Sequence, residues 1–156
     1  MGTRILDTPL GALILQSNNS AITRVSWADH GNPMPSGQSD SICDFAAKEL
    51  QFYFLGRLKT FSVPVSLDGS SLQIKVWGLM ANIPFGEVLT YGDVARDVGS
   101  GPQAVGRACG QNPIPVIIPC HRIVGAGGKL TGFSGGAGIE TKAFLLDHES
   151  GQGRLL

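Results

Sequence analysis

Hydrophobic residues in the first third of the chain fall into the short runs that are typical of β-strands. Three such runs, at 4–7, 10–16 and 21–27, are separated by the turn signals Thr8-Pro9 and Ser17-Asn18-Asn19-Ser20. Turn-forming residues between β-prone runs favour tight connections, and tightly connected neighbouring strands run antiparallel. We therefore predict an antiparallel meander at the start of the chain.

Helical spacing replaces the strand pattern after residue 40. Asp40 or Ser41 can cap a helix there, and Gly56 can end it. The apolar positions that share one face of this predicted helix are Ile42, Phe45, Ala46, Leu50 and Phe54. The pattern predicts a small α/β unit in which that face of the helix is buried.

Three further helices are predicted in the next part of the chain. The predicted segments are 72–81, 91–98 and 102–110. Ser70 or Ser71 can cap the first, Gly99-Ser100-Gly101 separates the second from the third, and Pro102 suits a first helical position. Two short helices around a three-residue turn match the helix-turn-helix motif, although helical hairpins of no special function match it too.

The third of these helices has two different faces. One is apolar and carries Val105, Ala108 and Cys109, whereas the opposite face carries Gln103, Gly106, Arg107 and Gly110. Glycine inside a helix costs about 0.5–1 kcal/mol relative to alanine, so its presence needs a reason. Either another helix packs closely against this face, or another backbone, such as that of a DNA groove, approaches it.

A cysteine, a histidine and an arginine follow soon after the apolar run 116–118, which predicts a short buried strand. A lone cysteine is most often a small buried hydrophobe, and the lack of Cys-x-x-Cys or His-x-x-x-His spacing disfavours zinc. The third alternative is a nucleophile pair, Cys120 with His121, because a nearby histidine can lower the pKa of a thiol. Adjacent residues of a strand face opposite sides, so this pair would need a bridging water.

The C-terminal quarter combines a glycine-rich segment with a last helix. Residues 125–136 predict a hairpin or wing followed by a glycine-rich loop, and residues 139–148 predict the helix. One face of that helix carries Lys142, Leu145, Leu146 and Glu149. Such a face either forms a solvated edge or places both charges near one pocket.

Composition narrows the possible functions. The chain has 156 residues, of which 42% are hydrophobic, and this indicates one folded domain or two small ones. A formal net charge of zero means that any DNA binding must depend on local positive charges, helix termini and backbone amides. Three cysteines without close spacing favour a reducing compartment, and no apolar run is long enough to span a membrane. We predict a soluble, cytoplasmic protein without membrane contact.

Several motifs, taken in order, resemble those of the O6-alkylguanine-DNA alkyltransferases, which are single-turnover DNA repair proteins. The central match is 112–124, which reads Asn-Pro-Ile-Pro-Val-Ile-Ile-Pro-Cys-His-Arg-Ile-Val. Further matches lie at 83–91, 104–106, 132–136 and 142–149. The likeness covers residues 61–149 closely and the N-terminal part loosely.

The resemblance implies a fold and a reaction. The fold would be α/β (α+β), with an N-terminal RNase H-like α/β domain at 1–66 and a C-terminal winged-helix (helix-turn-helix) domain at 67–156. The reaction would move a methyl or alkyl group from O6-alkylguanine in double-stranded DNA to Cys120, after the base is flipped out through the minor groove. O4-alkylthymine is a second candidate substrate. The protein would act as a monomer and need no cofactor and no metal.

The resemblance also assigns residue roles. Cys120 would keep the alkyl group as a thioether, and Glu149 would orient His121, which would act through a water to favour the Cys120 thiolate. Lys142 and Tyr91 would stabilise the leaving guanine. The residues that would contact the substrate or the DNA, or brace the site, are Asn112, Gln103, Ala104, Gly106, Arg107, Ile123, Phe133 and Ser134.

Two positions depart from the family pattern. Gln103 stands where an arginine often fills the space left by the flipped base, so charge and stacking are lost there. Phe133 stands where tyrosine is common.

Three rival classes of protein fit the sequence less well. A damage-sensing alkyltransferase-like protein would have a residue other than cysteine at position 120. A sequence-reading transcription factor would need base-reading side chains on its recognition helix. A cysteine hydrolase would show an oxyanion-hole signature, and the sequence contains none that can be recognised.

Overall fold

A computed structural model of the protein describes residues 1–28, 35–131 and 136–150. The chain forms two compact units, Met1–Leu67 and Asp68–Leu156. Within the described ranges, no helix combines the length and the apolar character that crossing a membrane would require. Each unit has its own set of buried hydrophobic residues.

The first unit is built on three antiparallel strands, which confirms the predicted meander. The strands are β1 (Gly2–Thr8), β2 (Gly11–Ser17) and β3 (Ile22–Trp27), in the order β1-β2-β3. A tight turn joins β1 to β2, with Thr8 paired to Gly11. Leu13, Leu15 and Ile22 are fully buried, so they form the inner side of the sheet.

One helix, α1 (Ser41–Phe54), packs on this sheet. Asp40 is its N-cap, and its carboxylate accepts a hydrogen bond from the Cys43 backbone N–H at 2.8 Å. The predicted start is confirmed, but the predicted buried face is partly wrong, because Phe45 is 40% exposed. The helix instead buries a face rich in small side chains, made of Cys43, Ala46, Ala47, Leu50 and Tyr53 together with Glu49. Small side chains let the helix axis approach the sheet closely.

Over its described residues, the second unit contains four α-helices and a two-stranded parallel sheet. The elements are α2 (Ser71–Ala81), β4 (Leu89–Thr90), α3 (Tyr91–Val98), α4 (Pro102–Gly110), β5 (Ile123–Val124) and α5 (Ile139–Ser150). Ser70 caps α2 in a capping box with Gln73. Gly99 ends α3 in the left-handed conformation, at φ 70°, where glycine has no steric penalty. The three predicted helices of this region are therefore confirmed.

Helices α3 and α4 pack against each other and against α2, as a helix-turn-helix requires. The Trp77 indole N–H donates to the backbone carbonyl of Ala108 at 2.8 Å, which ties α2 to α4. The core around this bond consists of Val76, Met80, Val94 and Val105, all fully buried. The outer face of α4, which carries Gln103, Gly106, Arg107 and Gly110, points away from this core.

The predicted strand at 116–118 is wrong, because this segment forms a tight turn. Ile118 donates its backbone N–H to the Ile114 carbonyl at 2.8 Å, and Val116 adopts a positive φ of 73°. Pro115 and Pro119 flank the run, and proline has no N–H to give to a strand ladder. The predicted burial is confirmed, since Val116, Ile117 and Ile118 are at most 7% exposed.

The predicted hairpin or wing and glycine-rich loop at 125–136 can be compared with the structure only over residues 125–131 and 136. Ala126–Gly128 form a 3-10 turn, and the Gly125 N–H closes the loop on the Lys129 carbonyl at 2.7 Å. β5 pairs in parallel with β4 rather than with a strand that follows it. The glycine-rich loop itself, with Phe133 and Ser134, lies outside the described residues.

Candidate active site and the outer face of helix α4

Cys120 lies at the start of a 3-10 turn, Cys120–Arg122, that follows the buried turn at 115–118. Its side chain is buried, and the residue is only 8% exposed. Its backbone N–H donates to the Ile118 carbonyl at 2.8 Å. The expected extended geometry, with His121 on the opposite side of a strand, is therefore wrong, because the chain curls at this point.

His121 is completely buried and paired with a carboxylate from α5. Its Nε2 lies 2.6 Å from Oε2 of Glu149. A carboxylate is an acceptor, so this contact places the ring proton on Nε2 and leaves Nδ1 as the acceptor nitrogen. Among the described residues no group forms a hydrogen bond with Nδ1 of His121. The ring is thus held by one nitrogen and has the other available for a proton.

Arg122 completes this buried cluster, and no role was predicted for it from the sequence. Its guanidinium donates to both carboxylate oxygens of Glu149, at 2.7 and 3.0 Å, and to the Ile83 carbonyl at 2.6 Å. A buried carboxylate is stable only with a counter-charge and satisfied lone pairs, and Arg122 supplies both. The signal was present in the sequence, since a buried Glu149 would need a cation and Arg122 adjoins His121.

Burial sets the resting protonation of the site. It lowers the pKa of His121, although the hydrogen bond and charge of Glu149 act in the opposite direction. Burial also raises the pKa of the Cys120 thiol, against a hydrogen bond from Asn112 and the positive charge of Lys142. Both shifts favour the neutral forms. The resting pair is therefore a thiol and a neutral imidazole.

Lys142 and Tyr91 form a second polar cluster around one backbone carbonyl. The Lys142 ammonium donates to the Thr131 carbonyl at 2.8 Å, and the Tyr91 hydroxyl donates to the same oxygen at 3.1 Å. Lys142 is only 1% exposed, and burial lowers its pKa. Lys142 and Glu149 are thus both buried, so α5 does not present them as a solvated edge.

Asn112 and Ile123 lie on either side of Cys120 along the chain. The Asn112 amide donates to the Ile118 carbonyl at 2.7 Å, and its oxygen accepts from the Ile114 N–H at 2.9 Å. Ile123 is fully buried in β5, opposite Leu89 of β4. Both residues therefore fix the backbone on which Cys120 is carried.

The outer face of α4 is open and combines two glycines with two polar side chains. Gln103 and Arg107 are exposed, whereas Ala104 and Gly106 are half-buried. Apart from the flanking residues and the backbone of α4 itself, no atom of the described residues lies within 4 Å of a Cβ added at Gly106 or Gly110. Close packing of another helix therefore does not explain these glycines, and the approach of an external backbone remains as their explanation.

A helix-turn-helix with an open outer face, followed along the chain by a buried cysteine beside a His–Glu pair, is the combination expected of a DNA-binding protein with a reactive cysteine. Comparison with known families agrees with this class. Residues 71–151 match the family described as "6-O-methylguanine DNA methyltransferase, DNA binding domain", and residues 1–67 match the corresponding ribonuclease-like domain. The chain belongs to the 6-O-methylguanine DNA methyltransferase family, which confirms the resemblance found in its motifs.

Individual relatives match over nearly the whole chain. The constitutive methylated-DNA–protein-cysteine methyltransferase of Bacillus subtilis is 40% identical, with 92% of each chain covered. The methylated-DNA–protein-cysteine methyltransferase of Mycobacterium bovis is 38% identical over 94% of this chain and 90% of its own. The crystal structure of Mycobacterium tuberculosis OGT in complex with DNA is 37% identical, covers 99% of this chain and 98% of its own, and superposes with a TM-score of 0.87.

Proposed function

We propose that this protein repairs alkylated DNA by moving a methyl or alkyl group from O6 of guanine in double-stranded DNA onto Cys120. One observation carries the proposal: Cys120 adjoins a buried His121–Glu149 pair in which Nδ1 of the histidine has no hydrogen-bond partner among the described residues. Membership of the family and the DNA complex of its structural relative support the same conclusion. O4-alkylthymine is a second candidate substrate of the same chemistry.

The reaction is a displacement at the alkyl carbon. The Cys120 sulfur forms a bond to that carbon while the bond from the carbon to guanine O6 breaks, and the electron pair of the broken bond remains on the guanine. The thiol proton passes through a water to Nδ1 of His121, whose developing positive charge is balanced by Glu149. Lys142 and Tyr91 supply a cation and a hydroxyl group that stabilise the guanine as it becomes anionic.

The product explains why one protein molecule repairs one base. Cys120 ends as a thioether. Water does not displace the sulfur from the alkyl carbon, because a thiolate is a poor leaving group. No step in the site restores the thiol, so the protein is consumed. This outcome separates the proposal from a cysteine hydrolase, which would release its product and react again.

DNA would be bound through the outer face of α4. Ala104 and Gly106 are small enough to let the helix approach a narrow minor groove, and Gln103, which is exposed near the start of α4, would enter the space left by a flipped base. Arg107 is exposed one turn further along and can contact a phosphate. Ser134 would donate a hydrogen bond to O6 of the guanine, Phe133 would also contact the substrate, and the backbone near Ile123 would read the edge of the base.

We propose that the protein acts as a monomer, since one helix-turn-helix and one nucleophile suffice for a single damaged base. We also propose that it acts inside the cell, where its DNA substrate is found. Sedimentation of the protein alone tests the first of these, and a monomer mass is the expected result.

The proposed reaction is tested by mixing the protein with a duplex that carries one O6-methylguanine. The intact protein should gain one methyl group in place of the thiol hydrogen, and the DNA should contain unmodified guanine. A protein that binds this duplex without any change in mass would be a damage sensor, and the proposal would be wrong.

The open face of α4 gives a prediction about Gly106. We expect Gly106→Ala to stabilise the protein by about 0.5–1 kcal/mol, because alanine favours the helix and a Cβ there meets nothing in the protein. The same variant should bind duplex DNA about tenfold more weakly, because an added methyl in a close contact costs roughly 1–3 kcal/mol. Thermal unfolding and a fluorescence binding titration measure the two effects.

Gly78 offers a matched control for this experiment. It lies inside α2, is exposed, and would also accept a Cβ without contact. Gly78→Ala should give a similar gain in stability and leave DNA affinity unchanged. Wild-type affinity in Gly106→Ala would show that DNA does not approach this face of α4.

A further inference from the structure

Val116 has a backbone conformation that its side chain disfavours. Its φ is 73°, in the left-handed region, where the Cβ of an L-residue crowds the following carbonyl oxygen. Asn19 is the other non-glycine residue with a positive φ in the described ranges, and asparagine tolerates this region well. A β-branched residue there is unusual, so the surrounding structure must hold it in place.

Hydrogen bonds close the turn around Val116 from both ends. The Ile118 N–H donates to the Ile114 carbonyl at 2.8 Å. The Asn112 side chain spans the same turn, accepting from the Ile114 N–H at 2.9 Å and donating to the Ile118 carbonyl at 2.7 Å. Val116 itself is 1% exposed, so its branched side chain is packed in the interior. Burial and these bonds together oppose relaxation of the backbone.

The same turn is bonded directly to the nucleophile. The Ile118 carbonyl that accepts from Asn112 also accepts from the Cys120 N–H, at 2.8 Å. The Arg122 N–H then donates to the Pro119 carbonyl at 3.0 Å and closes the 3-10 turn. A change in the conformation of Val116 therefore moves the carbonyl from which the Cys120 backbone is held.

We propose that Val116 is a positioning residue for Cys120, and that its buried branched side chain keeps the turn strained so that the sulfur is held in line with the alkyl carbon. This role rests on the proposed alkyl transfer. Displacement at carbon needs the nucleophile opposite the leaving oxygen, and a misplacement of about 1 Å can lower a rate about 100-fold. Strain at this turn is thus used to restrict where the sulfur can lie.

Stability measurements on Val116→Ala and Val116→Gly test the strain. At an ordinary helical position glycine is less stable than alanine, but at a positive φ the order reverses. We expect the unfolding equilibrium constant of Val116→Gly to be about 5- to 30-fold smaller than that of Val116→Ala. The same two substitutions at Val76, a buried residue of α2, serve as the control and should show the ordinary order.

Rate measurements on the same proteins test the positioning. With saturating DNA, the single-turnover transfer rate should decrease in the order wild type, Val116→Ala, Val116→Gly, with the last about 100-fold below the first. Val116→Ile keeps the branched side chain and should retain the wild-type rate. The affinity for DNA should not change. Rate and stability would then move in opposite directions between the alanine and glycine variants, which a purely structural role would not produce.

Each contrary outcome overturns a defined part of the inference. If Val116→Gly is less stable than Val116→Ala, the turn is not strained and the inference is wrong. If the transfer rates follow stability, Val116 stabilises the fold but does not position Cys120. If wild-type protein transfers no alkyl group in this assay, the proposed function fails and the positioning role fails with it, while the stability comparison still reports on the strain.

Discussion

We expect Glu149→Gln to lower the single-turnover transfer rate by about 100-fold or more at saturating DNA. Glutamine cannot balance the positive charge that His121 acquires when it takes the thiol proton, and positioned proton transfer contributes about 10²–10⁴-fold in enzymes. The same change leaves the Arg122 guanidinium buried without its counter-charge. Loss of one partner from a buried ion pair costs roughly 3–5 kcal/mol, so the free energy of unfolding should fall by that amount.

A double variant separates these two effects. Arg122→Met combined with Glu149→Gln removes both charges, and replacement of a buried pair by neutral groups of similar size is often close to neutral for stability. Much of the lost stability should therefore return, while the transfer rate should remain about 100-fold low. Recovery of the rate along with stability would mean that Glu149 serves the fold and not the chemistry.

Glu49 provides a control for the loss of a buried carboxylate. It lies in the first unit and accepts hydrogen bonds from the backbone N–H groups of Ser62 and Val63. Glu49→Gln should weaken the fold but leave the transfer rate of the folded protein unchanged. The rate is measured by rapid quench, and the free energy of unfolding by urea titration.

The transfer rate should fall in acid with a midpoint below pH 6.5. Burial lowers the pKa of His121 from its ordinary value of about 6.5, so the ring is neutral at pH 7 and gains a proton only at lower pH. A protonated ring cannot accept the thiol proton at Nδ1. Glu149 and Arg122 both contact this region, and their charges act on the His121 pKa in opposite directions.

Single-turnover rates between pH 8 and pH 5 give the profile, with His121→Gln as the control that should lack this acid limb. An identical limb in His121→Gln would assign it to another group, and a wild-type midpoint at or above 6.5 would contradict the lowered pKa.

The lowered pKa of His121 also affects the stability of the fold. Because the unfolded chain binds the proton more tightly than the folded protein, the free energy of unfolding falls as the pH drops below about 6.5.

The boundaries of the second-unit helices could be predicted because their signals are local. Ser70 caps α2, Pro102 opens α4, and Gly99 ends α3 with a positive φ that glycine adopts freely. Each of these residues acts on its own turn of the chain, without help from distant contacts. The sequence pattern was sufficient for the same reason in the β1–β3 meander.

The turn around Val116 could not be predicted from side-chain propensity. β-branched residues favour strands, but the flanking prolines deny the segment a ladder, and the Asn112 side chain supplies the hydrogen bonds of a turn instead. The two prolines were the available signal. The left-handed backbone of Val116 itself had none, because it depends on tertiary packing.

The sequence allows the residues of the candidate site to be named, but not the contacts between them. The family motif points to Cys120, His121 and Glu149, but it gives no role to Arg122, which binds Glu149 through two hydrogen bonds. Lys142 was placed beside the leaving guanine, and the structure shows it donating to the Thr131 carbonyl. Contacts of this kind join residues that are distant in sequence, so periodicity alone does not show them.

In the proposed reaction, one alkyl group moves from DNA to the sulfur of Cys120 and stays there. The most direct test is the intact mass of the protein after incubation with an excess of duplex containing one O6-methylguanine, followed by peptide mapping. Cys109 is a buried cysteine that supplies the matched control, since burial raises the pKa of its thiol to about 12. We predict a single methyl group on Cys120 in wild type and in Cys109→Ser, one repaired base per protein molecule, and no change in Cys120→Ser. Methylation elsewhere, or repair of more than one base per protein molecule, would contradict the account.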